Sequence, residues 1–103
     1  MWAQLMTMRL KPGKEGDLPR LYEGLRAVEQ PGSGLVRTMA LRDDKDPSRI
    51  YNFVLFESEE KARAREQDAR RQEALQPLRD MMAEVFDGPP EFVDLTVVED
   101  TSY

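Results

Sequence analysis

Arg49-Ile50-Tyr51-Asn52-Phe53-Val54-Leu55-Phe56-Glu57 is the most strand-like run in the chain. It is dense in β-branched and aromatic residues and contains no glycine or proline. Alternation puts Ile50, Val54 and Phe56 on one face and Tyr51, Phe53 and Leu55 on the other. A strand that is apolar on both faces calls for cover on both sides. Asn52 is the exception, an amide on an otherwise apolar face.

Upstream of this run, Leu35 to Arg42 reads as its hairpin partner, joined through the polar loop 43–48. The expected register sets Leu41 opposite Ile50, Met39 opposite Asn52, Arg37 opposite Val54 and Leu35 opposite Phe56. Arg37 and Asn52 would then be diagonal neighbours on one face. Trp2 to Leu10 also alternates, with Trp2, Gln4, Met6 and Met8 against Ala3, Leu5, Thr7 and Arg9. After the Lys11-Pro12-Gly13-Lys14 turn, Leu18, Leu21, Tyr22, Leu25 and Val28 mark one face of a helix over 18–30. Asp17 is its expected N-cap and Pro19 falls in the first turn. Gly24 inside that helix suggests close packing.

Downstream, Ser58 is placed to cap a second helix with Glu59 and Glu60 in its first turn. Residues 59–72 are nearly all charged and read as a solvated helix face. Leu75, Leu78, Met81, Met82 and Val85 then form an apolar stripe. Pro77 is expected in the first turn of this second piece, after a break near Arg70–Glu73. Gly88-Pro89-Pro90 ends it, and Phe92 to Glu99 reads as the last strand.

The order β-α-β-β-α-β predicts an α+β, ferredoxin-like domain over residues 1–103, a four-stranded antiparallel sheet with its helices on one face. The other face would carry Leu5, Val36, Tyr51, Phe53 and Leu55, too apolar to leave in water. A homodimer packed sheet on sheet is the expected cover.

Composition narrows the chemistry. The chain has no cysteine and no histidine. Thiolate metal sites, cysteine nucleophiles, Ser-His-Asp triads and histidine-ligated iron are therefore excluded. No acidic loop has calcium-binding spacing, so no metal and no cofactor are expected. A net charge of −5 argues against nucleic acid and acidic membrane surfaces as partners. No run approaches a membrane span, the start does not read as a signal peptide, and a cytoplasmic location is expected.

Three segments resemble the antibiotic biosynthesis monooxygenase (ABM) family of dimeric α/β barrels. They are the Lys11-Pro12-Gly13 turn, the junction Glu29-Gln30-Pro31-Gly32-Ser33-Gly34-Leu35, and the run from Asp46-Pro47 through Phe56-Glu57-Ser58-Glu59-Glu60-Lys61-Ala62. The resemblance implies a helix-facing pocket floored by the even residues of 50–56. Phe56 holds a place where many members have tryptophan, and the following helix lacks the histidine that many carry. The haem-degrading branch has an asparagine on the first strand where this chain has Met6. The resemblance therefore implies a cofactor-independent monooxygenase rather than haem degradation.

In that reading a flat aromatic or quinol-like molecule contacts Met6, Met39, Phe56 and Met82. Arg37 and Asn52 stabilise an oxyanion and Tyr22 relays a proton. Two alternatives stand beside it. One is a non-catalytic ligand-binding or stress-associated dimeric barrel, the other a purely structural oligomeric module with a methionine-filled core.

Overall fold

The structure, a computed structural model, describes residues 1–103. Strands Trp2–Arg9 (β1), Leu35–Arg42 (β2), Arg49–Phe56 (β3) and Glu91–Thr96 (β4) form one antiparallel sheet in the order β2-β3-β1-β4. The helices are Leu18–Ala27 (α1), Glu59–Glu66 (α2) and Ala69–Val85 (α3). This is the expected ferredoxin-like α+β arrangement, with β3 and β1 at its centre because they hold the longest apolar alternations.

The β1–β3 register brings Trp2 opposite Phe56, Met6 opposite Asn52 and Met8 opposite Ile50. Leu10 leaves the strand and makes a single bridge to Phe86, so β1 ends one residue earlier than expected. β4 is also displaced from the expected 92–99, and Val98 beyond it is exposed.

The β2–β3 hairpin corrects the expected register. Leu35 pairs with Phe56 as anticipated, but the register then shifts by one residue between Leu35 and Arg37. Thereafter Arg37 pairs with Leu55, Met39 with Phe53, Ala40 with Asn52 and Leu41 with Tyr51. A bulge adds one residue to one strand, and because side chains alternate, every residue beyond it changes face. Val36 is the extra residue and pairs with nothing on β3. Arg37, Met39 and Leu41 consequently join the outer face of the sheet, and Thr38, Ala40 and Arg42 the helix side.

The second helical region also differs. Ser58 caps α2 by accepting from Lys61 N, as the sequence suggests. The break comes earlier than Arg70, because the Asp68 side chain accepts from Arg70 N and starts α3 at Ala69. Pro77 therefore lies inside α3 and not in its first turn. α1 is shorter than expected, ending at Ala27, and is preceded by a 3₁₀ turn at Glu15–Asp17. Asp17 itself has helical geometry and its side chain makes no capping hydrogen bond.

Two apolar clusters hold the helices to the sheet. Met8, Leu10, Leu21, Ile50, Val85 and Phe86 form the larger one at one end of β1 and β3. Trp2, Phe56 and Ala62 form the smaller one at the other end. At Gly24 a Cβ would lie 2.6 Å from Leu78 Cδ2, so the glycine lets α1 and α3 approach closely. On the outer face, no element covers Leu5, Tyr51, Phe53, Leu55, Met39, Leu41, Val93 and Leu95.

Candidate functional site

Between the two clusters the helices stand away from the sheet and leave a groove of about 1330 Å³. The middle of β1 and β3 supplies the floor, with Gln4, Met6, Asn52 and Val54. α1 contributes Leu21, Tyr22 and Leu25, and α3 contributes Leu75 and Met82. The walls are mostly apolar because the residues facing the sheet are the same helix stripe that builds the core on either side.

One polar pair sits in this apolar setting. The Tyr22 hydroxyl donates to Asn52 Oδ1 at 2.8 Å. Burial pushes the Tyr22 phenol above its ordinary value, outweighing the opposite effect of the Asn52 bond. Tyr22 therefore stays protonated at neutral pH and acts as a donor. The bond uses Asn52 Oδ1, which leaves the amide N–H groups as donors toward the groove and the phenol oxygen as an acceptor. A ligand hydroxyl or oxyanion can meet both groups.

Sequence reasoning placed Tyr22, Asn52, Arg37, Met6, Met39, Phe56 and Met82 around one pocket. The structure brings Tyr22, Asn52, Met6 and Met82 to the groove. Arg37 is on the other side of the sheet, carried there by the bulge, and cannot act with Asn52. Met39 turns to the same outer face beside Phe53 and borders the groove only at the β2 edge. Phe56 touches the groove but is 3% exposed, packed on Trp2 with ring centroids 6.0 Å apart. Met6 stands directly opposite Asn52, so the amide is offered from β3 and not from β1.

Three of the groove's five arginines, Arg63, Arg65 and Arg71, come from the charged run that reads as a solvated face. Ala62 anchors α2 in the smaller cluster, at 2% exposure. Arg63 is thereby laid over the Trp2 ring, 5.1 Å from its centroid, and Arg65 over Phe56 at 5.4 Å. Arg65 also grips Glu29 with two bonds of 2.7 and 3.0 Å. Burial opposes the charge on Glu29, but hydrogen bonds from Arg65 and Ser33 and the charges of Arg65 and Arg71 hold its carboxyl below the ordinary value. The alanines of the charged run, Ala62 among them, were the only sequence signal for this arrangement.

No cluster of three or more histidine, cysteine, aspartate or glutamate side chains could hold a metal ion. No helix is long and apolar enough to cross a membrane.

No protein-family model matches the chain, nor does any curated protein. Solved structures do. A protein from Bordetella bronchiseptica, described provisionally as an antibiotic biosynthesis monooxygenase, superposes with a TM-score of 0.76 at 21% identity. The match covers 95% of this chain and 97% of that one. A similarly described protein from Chloroflexus aurantiacus gives 0.67 at 22% identity, over 98% and 96% of the two chains. A mutant of the protein MhuD, with two manganese protoporphyrin IX molecules bound per active site, gives 0.73 at 17% identity over the whole of both chains.

A porphyrin metal would find neither imidazole nor thiolate in this chain, and the one phenol bonded at the groove floor is committed to Asn52. The residues present do not fit that group. At these identities the likeness shows the architecture: this chain has the ferredoxin-like fold shared by the structures described as antibiotic biosynthesis monooxygenases.

Proposed function

We propose that the chain is a cytoplasmic, cofactor-independent monooxygenase of the ABM type, acting on a flat aromatic or quinol-like molecule held between sheet and helices. The observation that carries this reading is the Tyr22–Asn52 hydrogen bond on the floor of a large apolar groove. Apolar walls suit a planar ring system, and a small number of convergent polar groups orients it. Asn52 N–H donors stabilise negative charge on a phenol oxygen as it develops, in a site of low polarity. The Tyr22 oxygen, its own proton donated to Asn52, accepts from a neighbouring hydroxyl of the substrate.

The overall reaction balances without a resident redox group. Where a ring methylene becomes a carbonyl, one atom of dioxygen enters the substrate and the other leaves as water. The carbon supplies all four electrons, and its two hydrogens end in the water. The protein's task is to bind the electron-rich form of the substrate and exclude bulk water.

A homodimer through the outer sheet face belongs to the same proposal, supported by the uncovered residues Leu5, Phe53, Leu55, Met39 and Leu41. Val36, also expected there, is exposed and has no partner on β3.

Oxygen consumption with a panel of phenols and quinols tests the enzymatic reading. Turnover that falls at least tenfold in Asn52→Ala, with folding intact, is the expected result. A second reading, ligand binding without chemistry, draws on the protonated state of Tyr22, which leaves no base beside Asn52. Saturable binding with no oxygen uptake across the panel would establish it instead.

A further inference from the structure

Five arginines line the groove, Arg26, Arg42, Arg63, Arg65 and Arg71, against the three carboxylates Glu29, Glu66 and Asp94. The groove therefore has an excess of two positive charges in a chain whose net charge is −5. Two of these five cations are occupied. Arg65 is bonded to Glu29, and Arg63 bridges Asp94, Glu59 and Glu66.

Arg71 is different. It is half-buried near the start of α3, and it makes no hydrogen bond or ion pair. Both carboxylates that attract it are engaged elsewhere, Glu29 by Arg65 and Glu66 by Arg63. Arg65 and Arg79 repel it. Its surroundings disfavour its charge, burial first and Arg65 second, so its guanidinium is held below the ordinary value. Arg65 and Arg71 also wall a smaller recess beside Gly32 and Ser33, lined mostly by polar residues, in which Lys61 and three arginines outnumber the one carboxylate, Asp68. A guanidinium offers a rigid fork that matches a carboxylate, and leaving it unpaired while half-buried is costly.

We propose that the groove takes an amphipathic anion, with its flat apolar body over Met6 and Asn52 and a carboxylate paired with Arg71. This rests on the groove being the ligand site and names the class of ligand: an aromatic carboxylic acid in preference to its neutral counterpart. The carboxylate group fixes the orientation of the ring system relative to the Tyr22–Asn52 pair.

The test compares 2-naphthoate with 2-naphthamide by isothermal titration calorimetry on the full chain. The two probes share shape and differ in charge. The native protein is expected to bind 2-naphthoate about tenfold more tightly, as one charge-assisted contact provides. Arg71→Gln should erase that preference and leave 2-naphthamide binding unchanged. Equal affinities in the native protein, or a preference that survives Arg71→Gln, would overturn the inference while the groove reading stands. If neither probe binds, the groove reading itself fails and the inference falls with it. Should Arg71→Gln not fold, the native protein still decides: the preference must shrink as salt rises, and one indifferent to salt would overturn it.

Discussion

The Tyr22 hydroxyl and Asn52 Oδ1 lie 2.8 Å apart, and their bond ties the middle of α1 to the middle of the sheet beside the larger apolar cluster, which holds Leu21. Removing the hydroxyl leaves the Asn52 carbonyl facing an apolar wall. Tyr22→Phe is expected to cost about 1 kcal/mol in denaturant unfolding. Asn52→Leu, which orphans the hydroxyl, should cost about 1–3 kcal/mol. The double variant should cost less than the sum, because both changes remove the same bond. Strict additivity would show that the bond contributes nothing.

The Tyr22 phenol is raised by burial, so its neutral form is favoured in the folded state. The linked stabilisation is fully present below the ordinary tyrosine value and is lost as pH rises through the folded value. Ultraviolet titration should show one of the three tyrosines ionising later than the others, and that late step should vanish in Tyr22→Phe. A native titration identical to that of Tyr22→Phe plus one ordinary tyrosine would contradict it.

Glu29 moves in the opposite direction. Its folded value lies below its ordinary one, so the stability it gives is present above the ordinary carboxylate value and is lost as pH falls through the folded value. Glu29→Gln should destabilise the chain by about 1 kcal/mol at neutral pH, given a two-bond pair with Arg65 that is partly screened by solvent. The difference from the native protein should close in acid. Melting curves measured from neutral to acid pH check both statements.

Gly34 fixes the end of the sheet next to α2. Its φ is +82°, a left-handed value, and an added Cβ would meet Lys61 Cβ at 2.7 Å. Its carbonyl accepts from Glu57 N at 2.9 Å, just before the Ser58 cap. Gly34→Ala combines a backbone penalty of about 1–2 kcal/mol with a clash against a side-chain root that cannot swing away. The expected loss is about 2 kcal/mol or more, measurable by chemical denaturation. A variant as stable as the native chain would show that the junction moves freely.

The outer sheet face predicts association. Sedimentation should show a dimer at micromolar concentration, and Phe53→Lys at the centre of the face should yield a monomer. A native monomer would leave that face needing another explanation.

Much of this fold was legible because β3 is an unbroken β-branched and aromatic run, β1 alternates, and the α1 and α3 stripes each have one apolar side. β2 was not legible to the same degree. Leu35, Met39 and Leu41 lie on one parity and Val36 and Ala40 on the other, so hydrophobicity does not fix its register. The bulge at Val36 has no glycine to announce it, and it moved Arg37 off the groove and Met39 to its β2 edge. The α2–α3 break was hidden inside a run of charges, where Asp68 looks like any other acid until its bond to Arg70 N is seen. Arg65 and Glu29 are far apart in sequence, so their pairing depends on packing that only the alanines of that run hint at. Tyr22 could be placed from its helix stripe, whereas Asn52, on a strand apolar on both faces, was placed on the helix side by the family resemblance.

The central claim is that ligands enter the groove between sheet and helices. Methyl-resolved NMR with labelled methionine, titrated with 2-naphthol, tests it most directly. Met6 and Met82 line the middle of the groove, whereas Met39 turns to the outer face and borders the groove only at the β2 edge. Saturable shifts at Met6 and Met82, with Met39 little changed and the response weakened in Asn52→Ala, are the predicted result. Shifts confined to Met39, or none at Met6 and Met82, would contradict it.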